Sequence, residues 1–175
     1  MTPAFAIWFT GLPASGKTTA ARAVQVRLHT AGLPVVLLDS DELRQQLTPH
    51  ATYSRAERDW FYATLAFLTA LLVRQGVNVV VAATAPRRLH RSAAREQVAH
   101  FVEVYVECPI EVCRARDDKG LYARAAAGEI TTLPGVGVPY EPPLAPELRL
   151  PTADMDLDTA VAAVLDCLRQ LKLLD

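Results

Sequence analysis

Residues 11–18 read Gly11-Leu12-Pro13-Ala14-Ser15-Gly16-Lys17-Thr18, which fits the pattern GxxxxGK[ST] in full. That pattern is suited to holding phosphates. Its glycines let the backbone curl so that several N–H groups turn inward toward phosphate oxygens. The N-terminus of a following helix adds partial positive charge. Lys17 reaches the outer phosphates, and the Thr18 hydroxyl is a hard oxygen ligand for Mg²⁺. Thr19 carries the motif into the helix. The chemistry indicated is the binding of a nucleoside triphosphate.

A second group of candidates lies a short way along. Asp39-Ser40-Asp41 closes an apolar run, and in an open α/β sheet ligands sit outside the carboxyl ends of the strands. One of these carboxylates can hold Mg²⁺ through water, and Asp39 is placed for that. The other can accept a proton from an attacking hydroxyl. Asp41 can equally cap the helix that follows, and the two roles can coexist. Arg44 lies one helical turn beyond Asp41, on the same side. Arg58 falls in the first turn and a half of a long helix. Each is either a surface arginine or part of a clamp on a second anionic group.

The elements that must position these residues alternate in type. Phe5 to Thr10 reads as a buried strand leading into the phosphate loop. A helix runs from about Gly16 to Ala31 and stops at Gly32. Pro34 to Asp39 is a second strand, and Asp41 to Leu47 a short helix broken by Thr48-Pro49-His50. Ser54 caps a long helix to Gln75. Val77 to Ala83 and Phe101 to Val106 are further strands, with helices expected after Pro86 and Pro109. Order is harder to read from Asp118 to Pro151, where the Gly- and Pro-dense stretch Pro134 to Pro146 reads as one functional loop. Leu148 to Leu150 is a short fifth strand. Asp156 to Leu174 is an amphipathic helix with Leu157, Val161, Val164, Leu165, Leu168 and Leu171 facing the core. Continuously apolar strands alternating with helices imply a parallel sheet covered on both faces.

Composition sets the outer limits. The chain has 175 residues, 51% hydrophobic and 21% charged, which suits one α/β domain spanning residues 1–175. A net charge of −1 excludes a general binder of nucleic acid polymers. No apolar run is long enough to span a bilayer. Met1 to Thr10 lacks a basic n-region, so no signal peptide is expected. Cys108, Cys113 and Cys167 form no CxxC pair and read as free thiols in a reducing cytoplasm. His29, His50, His90 and His100 share no metal or triad spacing. Arg87, Arg88, Arg91 and Arg95 read as a solvated helical face, with Arg87 or Arg88 reaching the pocket of the second anionic group as the other reading. Fifteen arginines stand against three lysines, Lys17, Lys119 and Lys172. Codon bias accounts for the arginines but not for the places where lysine is kept.

Taken together, the motifs resemble the adenylylsulfate kinase (APS kinase) family of P-loop kinases. The resemblance rests on Gly11 to Thr19, on Asp39-x-Asp41-x-x-Arg44 and on Phe101 to Val106. It continues through Cys113-x-x-Arg116-Asp117-x-Lys119-Gly120-Leu121-Tyr122, Gly128-Glu129-Ile130, Tyr140-Glu141-x-Pro143 and Pro146-Glu147-Leu148. It implies a three-layer P-loop kinase fold with a five-stranded, mostly parallel sheet and a mobile lid at about 117–132. It also implies Mg²⁺-dependent transfer of the γ-phosphate of ATP to the 3′-hydroxyl of adenylyl sulfate. By position, Gly11 to Thr19 and Arg116 would hold ATP, with Thr18 and Asp39 at the metal. Asp41 would be the catalytic acid, assisted by Lys17. Arg44 and Arg58 would meet the acceptor's phosphosulfate, Tyr53 its adenine, and Lys119 would act from the lid. The partners implied are ATP and a small nucleotide acceptor, and a homodimer is compatible with the resemblance.

The chain departs from the family on the acceptor side. Ser40 replaces a glycine between the acids. Trp60-Phe61-Tyr62-Ala63-Thr64 replaces Glu-Asn-Ile-Arg-Arg, and Leu133-Pro134-Gly135-Val136-Gly137 replaces Phe-Thr-Gly-Ile-Asp. Thr84-Ala85-Pro86 stands where the family has Ile-Ser-Pro. Either the acceptor has changed to another phosphate-bearing nucleotide, or the aromatic segment only repacks its helix. A weakly catalytic nucleotide-binding regulator is the third reading. Retention of Asp39, Asp41 and Lys119 speaks against it.

Overall fold

Strand β1, Ala6–Thr10, is buried along its whole length, and its alternating side chains divide the core in two. Ile7 and Phe9 point to one face of the sheet, where they pack with Val24 and Leu28 of α1 (Lys17–Thr30) and Val161, Val164 and Leu168 of α7 (Leu157–Gln170). Ala6 and Trp8 point to the other, against Phe61, Leu65 and Ala66 of α3 (Arg55–Arg74) and Ala94 of α4 (Arg88–Gln97). This period-two division follows from the pleat of a strand buried on both sides. The structure is a computed structural model describing residues 3–174. Met1 and Thr2, part of the chain start considered above, and Asp175 lie outside the described residues.

The remaining strands are β2 (Val35–Asp39), β3 (Asn78–Ala82), β4 (Phe101–Glu107) and β5 (Leu148–Pro151). They form one five-stranded sheet in the order β2-β3-β1-β4-β5, and every pairing is parallel. The expected α/β layers are therefore present, and the mostly parallel sheet is wholly parallel. The phosphate loop leaves the central strand, so its surroundings come from the strand ends on both sides. Among the described residues no helix is long and apolar enough to cross a membrane.

Caps set the helix starts. Ser54 Oγ accepts from Glu57 N at 3.2 Å and opens α3. Asp156 accepts from Thr159 N at 2.8 Å and opens α7. Four of the six core residues expected on α7 are buried, whereas Leu157 and Leu171 are exposed, because they sit at the two ends of the helix. Two short helices, α5 (Ile110–Ala115) and α6 (Leu121–Ala126), fill the stretch after β4. The second was not legible in the sequence. It starts where the Asp117 carboxylate accepts from Leu121 N at 2.9 Å and Tyr122 N at 2.7 Å.

The expectation of a solvated face is corrected for Arg87, Arg91 and Arg95, each of which meets a carboxylate, while Arg88 is exposed. Arg91 is 2% exposed and donates to Glu103 Oε1 at 2.7 Å and to the Glu141 carbonyl at 2.6 Å. Arg95 donates to both carboxylate oxygens of Glu147, at 2.7 and 2.8 Å. Arg87 pairs with Asp59 at 2.7 Å. Spacing of i, i+4 puts these three on one helical face, and that face meets carboxylates from α3, β4 and the segment before β5. Arg91 and Arg95 thus clamp residues 141–147 against the sheet, and Arg87 ties the start of α4 to α3.

Candidate active site

The phosphate loop is closely fitted to its neighbours. A Cβ on Gly11 would lie 2.5 Å from the Val106 carbonyl oxygen of β4, so only glycine lets the loop leave β1 so near the adjoining strand. The loop's own carbonyls are held from outside. Tyr122 Oη on α6 donates to Pro13 O at 2.9 Å, and Thr152 Oγ1, just past β5, donates to Ser15 O at 2.9 Å. Lys17 is buried in the first turn of α1, and its Nζ donates to Leu12 O at 2.6 Å. Burial lowers its pKa to about 8, against the opposing pull of Asp41 and Asp39. Thr18 and Thr19 follow on the same turn and line the cleft.

Both acids sit at the end of β2, beside the loop, as expected. The cap, however, is Asp39 and not Asp41. Asp39 Oδ1 accepts from Asp41 N at 2.9 Å and opens α2 (Ser40–Leu47). Asp41 lies within the first turn, its carboxylate free of capping and largely exposed to the cleft. The physical reason is backbone geometry. Asp39 keeps the extended conformation of the strand, as an N-cap requires, while Asp41 is already helical. The carboxylate of Asp41 accepts instead from Lys119 Nζ, at the turn before α6, and this bond raises the lysine's pKa.

The two arginines are neither surface groups nor equivalent. Arg44 on α2 is buried beside α3, where Nη1 donates to Glu57 Oε1 at 3.0 Å. Its guanidinium lies 3.8 Å above the Phe61 ring centroid and 4.9 Å from that of Tyr53. Arg58 on α3 donates from Nε to Tyr53 O at 3.0 Å and from Nη2 to Thr132 O at 2.5 Å. Among the described residues Arg58 has no carboxylate partner. Burial lowers its pKa from the usual arginine value, and it remains a cation facing carbonyls. That leaves it free to meet an anion. Tyr53, half-exposed at the rim, has a left-handed φ of 53°, a strained backbone state that persists where neighbours impose it.

The aromatic segment divides by position. Tyr62 lines the cleft, Phe61 is fully buried behind Arg44, and Trp60 is half-exposed on the outer side of α3. Arg116 lines the cleft from the end of α5, with Nη2 donating to Thr152 O at 2.8 Å. Arg87 and Arg88 do not reach the cleft lining. All three cysteines are free and buried, and burial raises the Cys113 pKa to about 12, an inert thiol.

One cleft of about 1340 Å³ therefore gathers the phosphate loop, Asp39, Asp41, Arg44, Tyr53, Arg58, Arg116 and Lys119. Lys17 and Thr18 line it from α1 and Arg116 from the end of α5, while Arg44 and Arg58 share the Tyr53 ring at 4.9 and 5.6 Å, and Asp41 is near enough to Lys17 to oppose the lowering of its pKa. Three contributors escaped sequence reasoning: Glu57, Thr132 and Thr152. Glu57 carries a signal in retrospect, since Ser54-x-x-Glu57 has capping-box spacing. Its carboxylate reaches Thr52 N at 2.6 Å and so fixes the loop that carries Tyr53.

Comparisons with known proteins bear on the family and the fold. The adenylylsulphate kinase family profile matches residues 3–151. An adenylyl-sulfate kinase of Synechococcus sp. (strain JA-3-3Ab) is 43% identical over 163 residues, covering 93% of each chain. The Mycobacterium tuberculosis APS kinase, solved in complex with AMPPNP and APS, superposes with a TM-score of 0.91 at 38% identity, over 97% of this chain and 99% of that one. A hexameric APS kinase from Thiobacillus denitrificans superposes with a TM-score of 0.76 at 29% identity, over 99% of this chain but 30% of that one.

Proposed function

The chain belongs to the adenylylsulphate kinase family, and we propose that the cleft between Lys17 and Arg58 is where it transfers the γ-phosphate of ATP to the 3′-hydroxyl of adenylyl sulfate, giving 3′-phosphoadenylyl sulfate. The observation that carries the assignment of the site is the placement of Asp41. With its partner Lys119 it shares one cleft with the phosphate-binding loop and with Arg58, a buried guanidinium that has no carboxylate partner among the described residues.

Phosphoryl transfer depends on positioning and on neutralising charge more than on covalent help. The loop N–H groups and Lys17 hold the β- and γ-phosphates. Arg116 approaches the same nucleotide from α5. Arg44 and Arg58 fix the acceptor by its phosphosulfate, with Tyr53 against its base. Asp41 accepts a hydrogen bond from the acceptor hydroxyl and orients it toward the γ-phosphorus. Lys119 donates to the Asp41 carboxylate and so holds it in place at the cleft. Residues 117–132 form the lid of a single domain and exclude water, the competing acceptor.

The residues present suit Mg²⁺. Thr18 and Asp39 offer hydroxyl and carboxylate oxygens. Among the described residues there is no cluster of three His, Cys, Asp or Glu that would form a protein cage. Few protein oxygens, completed by phosphates and water, is the pattern by which Mg²⁺ is held. When bound, it neutralises charge on the transferred phosphoryl group. Three free buried thiols support a cytoplasmic setting.

The test is to follow ADP release and formation of the 3′-phosphorylated product with Mg·ATP and adenylyl sulfate, in parallel with other nucleotide acceptors. Adenylyl sulfate is expected to be the best acceptor. Turnover far below that of another nucleotide would overturn the choice of acceptor. ATP consumption that no acceptor stimulates would favour a regulatory nucleotide-binding role.

A further inference from the structure

Arg44 is a long side chain that must present its charge in one direction to be useful, and the structure shows what restrains it. Glu57 takes one corner, Nη1, at 3.0 Å. Glu57 is itself held by Thr52 N at 2.6 Å and Thr52 Oγ1 at 2.7 Å. The same Nη1 also reaches Thr48 Oγ1 at 3.4 Å, and contacts at that one corner leave the guanidinium plane free to swing. The Phe61 ring removes that freedom. It is fully buried, and the Arg44 Cζ lies over the ring, 3.8 Å from its centroid, while the Tyr53 and Tyr62 centroids are 4.9 and 5.7 Å from the same atom. The Nε and Nη2 edge of Arg44 has no carboxylate partner among the described residues. Arg44, Tyr53 and Tyr62 line the cleft, and Phe61 does not.

We propose that Phe61 is a positioning residue for the acceptor: its π face fixes the plane of the Arg44 guanidinium so that the unpaired edge meets the acceptor's anionic group. The proposal rests on the reading above that Arg44 contacts the acceptor. A cation in a desolvated site is attracted to the negative face of an aromatic ring. A planar guanidinium whose plane is fixed offers two parallel N–H donors to two oxygens of one oxyanion. Phe61 never touches substrate and acts only through Arg44. Its effect therefore belongs to acceptor binding and not to the chemical step or to ATP.

The test exploits the ring's electrons and not its volume. Mono-, di- and trifluorophenylalanine placed at position 61 withdraw charge from the π face with little change in size. The Michaelis constant for adenylyl sulfate is expected to climb stepwise, reaching about tenfold at the trifluoro ring, as for the loss of a buried cation–π contact. The value of kcat, the Michaelis constant for ATP and the melting temperature should hold nearly constant. Phe61→Leu should raise the same constant at least as far. Should that variant fail to fold, the fluorinated series still decides. An acceptor constant flat across the series, or one that moves together with the ATP constant, overturns the proposal. The control Arg44→Lys separates the two ways of failing. If it raises the acceptor constant while fluorination does not, Phe61 only packs. If it too leaves that constant unchanged, the acceptor reading of Arg44 is itself wrong, and the proposal falls with it.

Discussion

Lys119 Nζ donates to Asp41 Oδ2, joining the turn before α6 to the first turn of α2 across the mouth of the cleft. Both side chains are about two-thirds exposed. An exposed pair of this kind contributes only about 0–1 kcal/mol to stability, so its place in the cleft, not its strength, gives it meaning. Lys119→Arg is therefore expected to lower kcat/KM about tenfold or more with an unchanged melting temperature, because a planar guanidinium cannot replace a compact ammonium between Asp41 and the phosphates. Lys172→Arg, beyond the end of α7, is expected to leave both unchanged. Steady-state kinetics and thermal melts of the two variants check this.

Burial holds the Lys17 pKa near 8, and the sign of the consequence is definite. A base whose folded pKa is depressed carries its penalty in full below about pH 8. The penalty is relieved as pH rises from 8 toward the unfolded value of 10.5. Lys17→Met should therefore melt higher than the parent at pH 7 while losing turnover by orders of magnitude. ATP binding restores the charge, so above pH 8 it should take up a proton. Calorimetry at pH 8.5 in buffers of different ionisation enthalpy should show uptake in the parent and none in Lys17→Met.

Local features were legible in the sequence and distant pairings were not. The phosphate loop, the Ser54 cap and the alternation of strands and helices each depend on neighbours within a few residues. Lys119 and Asp41 were both identified, but their contact spans 78 residues of chain, and no spacing rule predicts it. The link from Arg116 to Thr152 spans 36 residues in the same way. The capping role left open for Asp41 falls to Asp39, because the choice turns on which residue keeps strand dihedrals. The pairing of Arg91 and Arg95 on α4 is hidden from the sequence for a different reason. Charge along a helix is ordinarily solvated, and only the fold brings Glu103 and Glu147 beneath that face.

Those arginines support a prediction about stability. Arg91 is buried and bonds Glu103, the Glu141 carbonyl and the Ala85 carbonyl at once. Removing one partner of a buried ion pair leaves an uncompensated charge, at a cost of about 3–5 kcal/mol. Arg91→Met should lower the urea midpoint accordingly. Arg91→Met combined with Glu103→Leu should recover part of the loss, since replacing both charges by apolar groups is far less costly. Urea titrations of the parent, the single and the double variant measure both effects.

Gly137 links loop packing to the acceptor arginines. A Cβ there would overlap the Thr131 carbonyl oxygen, and because the obstacle is backbone it cannot rotate away. The next carbonyl, that of Thr132, accepts from Arg58 Nη2 at 2.5 Å. Gly137→Ala must push the 131–132 backbone aside, and Arg58 then loses one of the two carbonyls that hold it. The expected result is a several-fold rise in the Michaelis constant for adenylyl sulfate, with the ATP constant unchanged, since the phosphate loop is held separately by Tyr122 and Thr152. A stability loss of about 1–3 kcal/mol should accompany it, as for other overpacking changes. Kinetics with each substrate varied in turn, read beside a thermal melt, distinguish this outcome from general loosening, in which both constants would rise together.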